Sequence, residues 1–412
     1  DLTLHRSTMP QTLPDDLLEE VFLRLPPGEP EHLLRASLAS KLWLSLLASA
    51  RFRGRYGDRH GAPPMLGFLY SWPEYAGPED EEHKPHFVST TKFAPRVPDD
   101  EWSDLAYAAW DCRHGLVLLG DRCRSPMGFV VWDPMTGCRW ELDVPTGYMS
   151  TKQRGAAAVL CSMAGCDHRV CHEGCFRVVF ISLDPKNGVG VARAGIFSME
   201  KGGVSKPCSP LHLDDGATID QMPSVLVQDA LHFMVRQPQP YVARAILKYD
   251  LGFDSLSLIH VPPELTTTVG STILMAMEDG SLGIAGITHE DKFILHLWSK
   301  QMGSDGVEAW THRRAVDLKE FLPIQNTKKR VIRLIGSMEG SDIIFVTTDL
   351  GIYEINLKSL RWKKLLKRER FRALIPYVSF CNPQGICPFF WVFGNISCIN
   401  NNTLIMATKC HV

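Results

Sequence analysis

Six soft donors stand within fifteen residues of the stretch "CSMAGCDHRVCHEGC": Cys161, Cys166, Cys171 and Cys175, with His168 and His172. Thiolates and imidazoles are the ligands a structural zinc selects. The intervening spacings of four, four and three residues fall at or beyond the edge of paired-ligand loops, and no second pair stands at a finger-like distance. The expectation is therefore an inter-strand loop carrying reduced thiols, with no metal and no other cofactor. Other chemistry is missing too. The chain has no G-x-S-x-G, no Walker-type phosphate loop and no H-E-x-x-H. "GVGVARAG" has glycines without the spacing or strand-to-helix setting of a dinucleotide site. None of the twelve cysteines sits in a recognisable activating environment.

The elements that must carry any function are of two kinds. In front stands "LPDDLLEEVFLRLPPGEP" followed by "LLRASLASKLWLSLL", both helical in pattern. Leu13, Leu17, Leu18, Val21, Phe22 and Leu25 recur at spacings that put them on one helix face. Thr12 and Asp15 have capping-box spacing, Pro14 is tolerated in the first turn, and Asp15 and Asp16 complement the helix dipole. "PPGEP" ends this helix, and runs at Leu33, Leu34, Leu38 and at Leu42, Trp43, Leu46, Leu47 make two more. Three short helices are a small independent core, so apolar residues remain for the rest of the chain or for a partner.

Taken in order, Leu13-Pro14, Asp16-Leu17-Leu18, Val21, Arg24-Leu25-Pro26, Leu33-Leu34-Arg35, Ser37-Leu38, Lys41, Trp43, Leu47 and Phe52 resemble an F-box. One departure is Ala39-Ser40, where that family usually has Val-Cys. The resemblance implies docking onto a Skp-type adaptor and through it a cullin. The adaptor-binding residues it implies are Leu13, Pro14, Leu17, Leu18, Val21, Leu25, Pro26, Leu34 and Trp43. The alternative at this point is a helical cap on the domain that follows.

That domain reads as strands and turns. "WDCRHGLVLLG", "VQDALHFMVR", "MEDGSLGIAGI" and "MEGSDIIFVTT" each precede a second strand pair, whose later strand carries Trp140, Leu256 or Ile259, Trp310 or Trp362. "GIFSMEKGGVSKPCSPLHL" fills the one double-length gap as a fifth unit. Strand pairs at a period of roughly 40 to 50 residues are the mark of a β-propeller, with a β-sandwich as the alternative. The units look like degenerate kelch repeats. "FVSTTKFAPRVPDDEW", "DCRHGLVLL", "VWDPMTG" and "CDHRVCHEGCFRVVF" resemble the F-box-associated region of a large grass-type plant group.

Bulk properties set the remaining bounds. The formal net charge is -2 and charged residues make up 22%, which gives no footprint for nucleic acid or an anionic membrane. No stretch reaches the roughly 20 apolar residues that span a bilayer, and the start of the chain lacks a signal-peptide pattern. Cytosol or nucleus is expected. The late basic runs "NTKKRVIRL" and "RWKKLLKRERFR" read as a nuclear address or as a solvated strand face with Trp362 and Leu365 inward. The acidic "WPEYAGPEDEEHKPH" reads as an exposed loop. The expected fold class is α+β multidomain: residues 1–11 disordered, 12–60 a three-helix F-box, 61–380 an all-β propeller-like domain of kelch-like type, and 381–412 an atypical tail.

The resemblance implies the substrate-recognition subunit of an SCF-type ubiquitin ligase, non-catalytic itself and binding an unknown target through the propeller. Two other readings stand beside it. One is an F-box scaffold outside a ligase. The other is a ligand-binding propeller or enzyme, which should show polar residues at equivalent blade positions near the axis; the sequence displays no such register.

Overall fold

The computed structural model describes residues 13–70, 87–96, 107–121, 128–142, 144, 155–162, 175–186, 189–214, 216–238, 241–267, 271–288, 293–303, 306–325, 332–367 and 372–380. The expected disordered N-terminus, the acidic loop at 72–86, most of the cysteine-rich loop and the tail from 381 lie outside them.

Four helices open the described chain, one more than expected: α1 (Asp15–Leu23), α2 (Glu31–Ala39), α3 (Lys41–Leu47) and α4 (Ala50–His60). Ser40 turns extended between α2 and α3, and its Oγ accepts from Leu42 N at 3.2 Å. A hydroxyl at the departure from the usual pair therefore caps α3. α4 carries only Phe52 and Tyr56 as buried residues, so its sequence shows almost no apolar period. Ser49 caps its start, accepting from Phe52 N at 3.1 Å, and Gly61 ends it at φ +73°, where a side chain would be strained. Glu19 of α1 accepts from Arg55 of α4 at 2.6 Å, tying the first helix to the last.

The strands form six antiparallel sheets among the described residues. β1 (Met65–Tyr70) and β2 (Phe87–Ser89) pair first. The next sheet is β3 (Tyr107–Arg113), β4 (Leu116–Asp121), β5 (Gly128–Trp132) and β6 (Arg139–Leu142). It is followed by β7 (Ala156–Cys161), β8 (Phe176–Lys186), β9 (Val189–Ser198), β10 (Gly203–Val204) and β11 (Leu211–Leu213). In the third, β12 (Thr218–Ile219) and β13 (Val225–Val227) both pair with β14 (Ala230–Pro238), beside β15 (Tyr241–Asp250) and β16 (Ser255–His260). The fourth is β17 (Ser271–Ala276), β18 (Leu282–Thr288), β19 (Ile294–Met302) and β20 (Glu308–Asp317). The fifth is β21 (Arg333–Met338), β22 (Ile343–Thr347), β23 (Ile352–Asn356) and β24 (Trp362–Leu366). β25 (Leu374–Val378) then returns to pair with β1, so the sixth sheet joins both ends of the domain.

Apolar burial explains why these sheets close into a ring. Alternate residues of one strand serve different neighbours. Val178 and Phe180 of β8 pack with Leu118 and Phe129 of the sheet before, while Val179 and Ile181 pack with Phe233 and Leu247 of the sheet after. Six such clusters lie one between each pair of adjacent sheets. Strands buried on both faces read as continuous apolar runs, which is what "LVLL" and "VVFI" are. The result is a six-bladed propeller, and the sandwich alternative is excluded.

The edge tryptophans correct one expectation. Trp362 on the outer strand β24 is 42% exposed, its ring edge on Tyr353 and its Nε1 donating to Phe321 O at 2.7 Å. Trp310 on β20 makes the equivalent bond to His260 O at 2.7 Å. Each ties an outer strand to the end of the preceding blade.

Candidate docking face and axial cavity

The helical head divides its apolar residues between two jobs. Leu18, Phe22, Leu23, Leu33, Leu47, Phe52 and Tyr56 join the cluster that also holds Leu66, Tyr107, Trp132, Ile375 and Tyr377 of the propeller. Tyr56 stacks edge-on against Phe380 at 5.7 Å and donates to Leu25 O at 2.9 Å. Leu25, Leu34 and Trp43 are half-buried against the same core, Trp43 lying edge-on to Phe22 at 5.3 Å. Left outside are Leu13, Leu17 and Val21, each at least 51% exposed, with Leu38 and Leu42 on the next two helices. Leu17 and Val21 lie one turn apart on α1, and Leu13 stands just ahead of the helix.

So the single face expected of the first helix is two faces. Leu17 is 54% exposed whereas Leu18 is 8% exposed, a support residue inside the core. Pro14 and Pro26 are exposed. Pro14 stands at the N-cap of α1, and Thr12 of the expected capping box is outside the described residues.

The second feature lies where the head meets the propeller axis. Leu47, Phe52, Arg53 and Tyr56 and the 61–63 segment face residues of β3, β13, β17, β21 and β25 across a cavity of about 630 Å³. Its walls are mainly apolar, with Met222, Ile273, Met338 and Phe380 among them. Polar groups converge at one place. Arg113 donates to Asp111 through Nη1, to Glu339 through Nε at 3.0 and 3.1 Å, and through Nη2 to Glu339 and to Ser224 O. Val159 N donates to Asp111 at 2.8 Å, and Leu226 N to Glu339 at 2.8 Å. Four blades are thus joined through one guanidinium. Burial lifts the Asp111 carboxyl to about 6, against the pull of Arg113. Burial likewise pushes the Cys112 thiol far up, which disfavours its thiolate. The polar convergence that the sequence did not display is therefore present; its members come from unlike blade positions, so no repeat register reveals them. Toward the opposite end of the inner strands, Asp220 accepts from Arg236 and, at 3.3 Å, from Arg372.

Of the six zinc candidates, Cys161 and Cys175 are described, both buried, Cys161 at the end of β7 and Cys175 just before β8. Cys166, His168, Cys171 and His172 lie outside the described residues. Among the described residues Glu29, Glu31 and His32 approach one another, half-buried; His32 hydrogen-bonds Glu29 at 2.7 Å and Lys92 pairs with Glu29 at 3.5 Å. No helix among the described residues is long and apolar enough to cross a membrane.

Residues 11–54 match the F-box domain. The chain therefore carries N-terminal F-box helices followed by a six-bladed propeller. No curated protein matches it. Among solved structures it is similar to an α-L-arabinofuranosidase, Arb93A, from Fusarium graminearum, at 9% identity and TM-score 0.38, covering 74% of this chain and 86% of that one. It is also similar to the Dos1 propeller, at 9% identity and TM-score 0.34, with coverage of 69% and 63%. A third is prolyl oligopeptidase B from Galerina marginata, at 11% identity and TM-score 0.35, with coverage of 86% and 54%. Likeness this low carries nothing about activity, and the six blades rest on the sheets described above.

Proposed function

We propose that this chain is the substrate-recognition subunit of an SCF-type E3 ubiquitin ligase, docking a Skp-type adaptor, and through it a cullin, with its F-box. One observation carries the reading. A helical head that only capped the propeller would bury its apolar residues there, yet Leu13, Leu17 and Val21 stay exposed while Leu18 and Phe22 fill the shared core. An exposed stripe inside a domain matched as an F-box is an interaction surface. Pro14, Pro26, Leu38 and Leu42 are exposed with it, and Leu25, Leu34 and Trp43 pack on the core beneath.

The chemistry is proximity rather than acid–base or nucleophilic catalysis by this chain. Holding a target lysine beside a thioester-charged conjugating enzyme raises effective concentration. The head occupies the end of the axis where Arg113 and Val378 finish their strands. The opposite face, toward which Ser271 and Arg333 begin theirs, is left for the target. A ligase of this type works in cytosol or nucleus. The test is co-elution of the full chain with adaptor and cullin on gel filtration. A three-part complex supports the ligase. A stable adaptor pair that excludes cullin supports the scaffold reading, and no adaptor binding removes both.

A further inference from the structure

Between the head and the propeller lies a cavity of about 630 Å³, mainly apolar in its walls and open at one side. Its size falls within the roughly 300–1,000 Å³ of small-molecule sites. Its walls come from both parts of the chain, α4 on one side and the inner strands on the other, and exposed Gly61, Ala62 and Gly340 mark its mouth.

Two polar groups point to the kind of occupant. Ser224 lines the cavity and is only 4% exposed, and its Oγ has no hydrogen-bond partner among the described residues. A buried hydroxyl without a partner is unfavourable unless something bonds to it. Glu339 is 35% exposed; its Oε1 accepts from Arg113 and Leu226, whereas Oε2 accepts from Arg113 Nε alone and has capacity for another donor. The charges lining the cavity balance, with Arg53 and Arg113 against Asp111 and Glu339. An ionic guest would upset that balance beside the buried Asp111 and Arg113.

We infer that the axial cavity binds an uncharged, mainly apolar small molecule bearing a hydroxyl or amide N–H, which meets Ser224 and Glu339 while its body lies against Met222, Ile273, Met338 and Phe380. Such a guest bridges head and propeller, so its binding stiffens the junction between them. The inference stands apart from the adaptor reading.

The probe is 2-naphthol, with naphthalene lacking the hydroxyl and 2-naphthoate carrying a charge as controls, offered to the full chain. Saturation-transfer NMR and thermal denaturation read the outcome. Wild type binds 2-naphthol best and melts higher with it. Ser224→Ala binds it about tenfold more weakly, the worth of one hydrogen bond. That variant keeps or raises the melting point without probe, because an unpaired buried hydroxyl is gone. Ser224→Phe fills the space and abolishes binding; should it fail to fold, the alanine variant decides. No binding of 2-naphthol to wild type at millimolar concentration, equal binding to wild type and Ser224→Ala, or preference for 2-naphthoate would each overturn the assignment.

Discussion

Without Arg113, the carboxylates of Asp111 and Glu339 would face each other at the axis with one cation fewer, and Ser224 O would lose its donor. Breaking a buried pair from one side is costly, about 3–5 kcal/mol. Urea unfolding of Arg113→Met should register a loss of that order, and adding Asp111→Asn should recover part of it. Two titrations act on stability with opposite signs. Asp111 is raised from 3.8 to about 6, so the folded chain takes up this proton first. Its contribution is greatest below pH 3.8 and lost as pH rises through 6. His232 is buried and lowered from 6.5 to about 4, chiefly by desolvation. Its contribution is present above 6.5 and lost as pH falls through 4, because the unfolded chain binds that proton first. His232→Gln should therefore remove an acid-induced loss of up to about 3 kcal/mol between pH 6.5 and 4. A pH series of unfolding curves that is parallel for variant and wild type would contradict this.

Single elements carry constraints that no residue shows alone. Gly336 sits at the bulge of β21, and a Cβ there would lie 2.5 Å from Leu374 O on β25. Neighbouring inner strands approach too closely for a methyl group, so Gly336→Ala should cost about 1–3 kcal/mol in chemical denaturation. An unchanged midpoint would mean the blades can part. The elements also explain what the sequence could reveal. The F-box was legible because its residues are contiguous, and the propeller because turn-plus-strand phrases recur. The closing blade was illegible, since β1 and β25 come from opposite ends of the domain and make no repeat. α4 was missed because Phe52 and Tyr56 are its only buried residues among arginines and glycines. Leu17 and Leu18 looked alike because adjacent positions on a wide apolar stripe differ only in what packs on them. The axial cavity had no sequence signal, being assembled from Ser224, Asp111, Arg113 and Glu339 far apart in the chain.

At the scale of the molecule, head and propeller share one core through Phe22, Phe52, Tyr56, Tyr377 and Phe380. Calorimetry should therefore find one cooperative transition for both, whereas a separate low-temperature transition of the head would contradict a shared core. The same arrangement ties the exposed stripe of the head to the propeller through one core, an arrangement that suits the proposed receptor role. Testing the stripe means sparing the core, so Leu18 must stay and only exposed residues change. The measurement is affinity for a Skp-type adaptor, by calorimetry on the full chain and on a Leu17→Asp, Val21→Asp double variant. Two carboxylates placed in a desolvated apolar contact cost several kcal/mol, or more than a hundredfold in affinity. The account predicts tight binding by wild type and none detectable by the variant, with identical circular dichroism and melting point. Equal binding by the two proteins, or no binding by wild type, would contradict it.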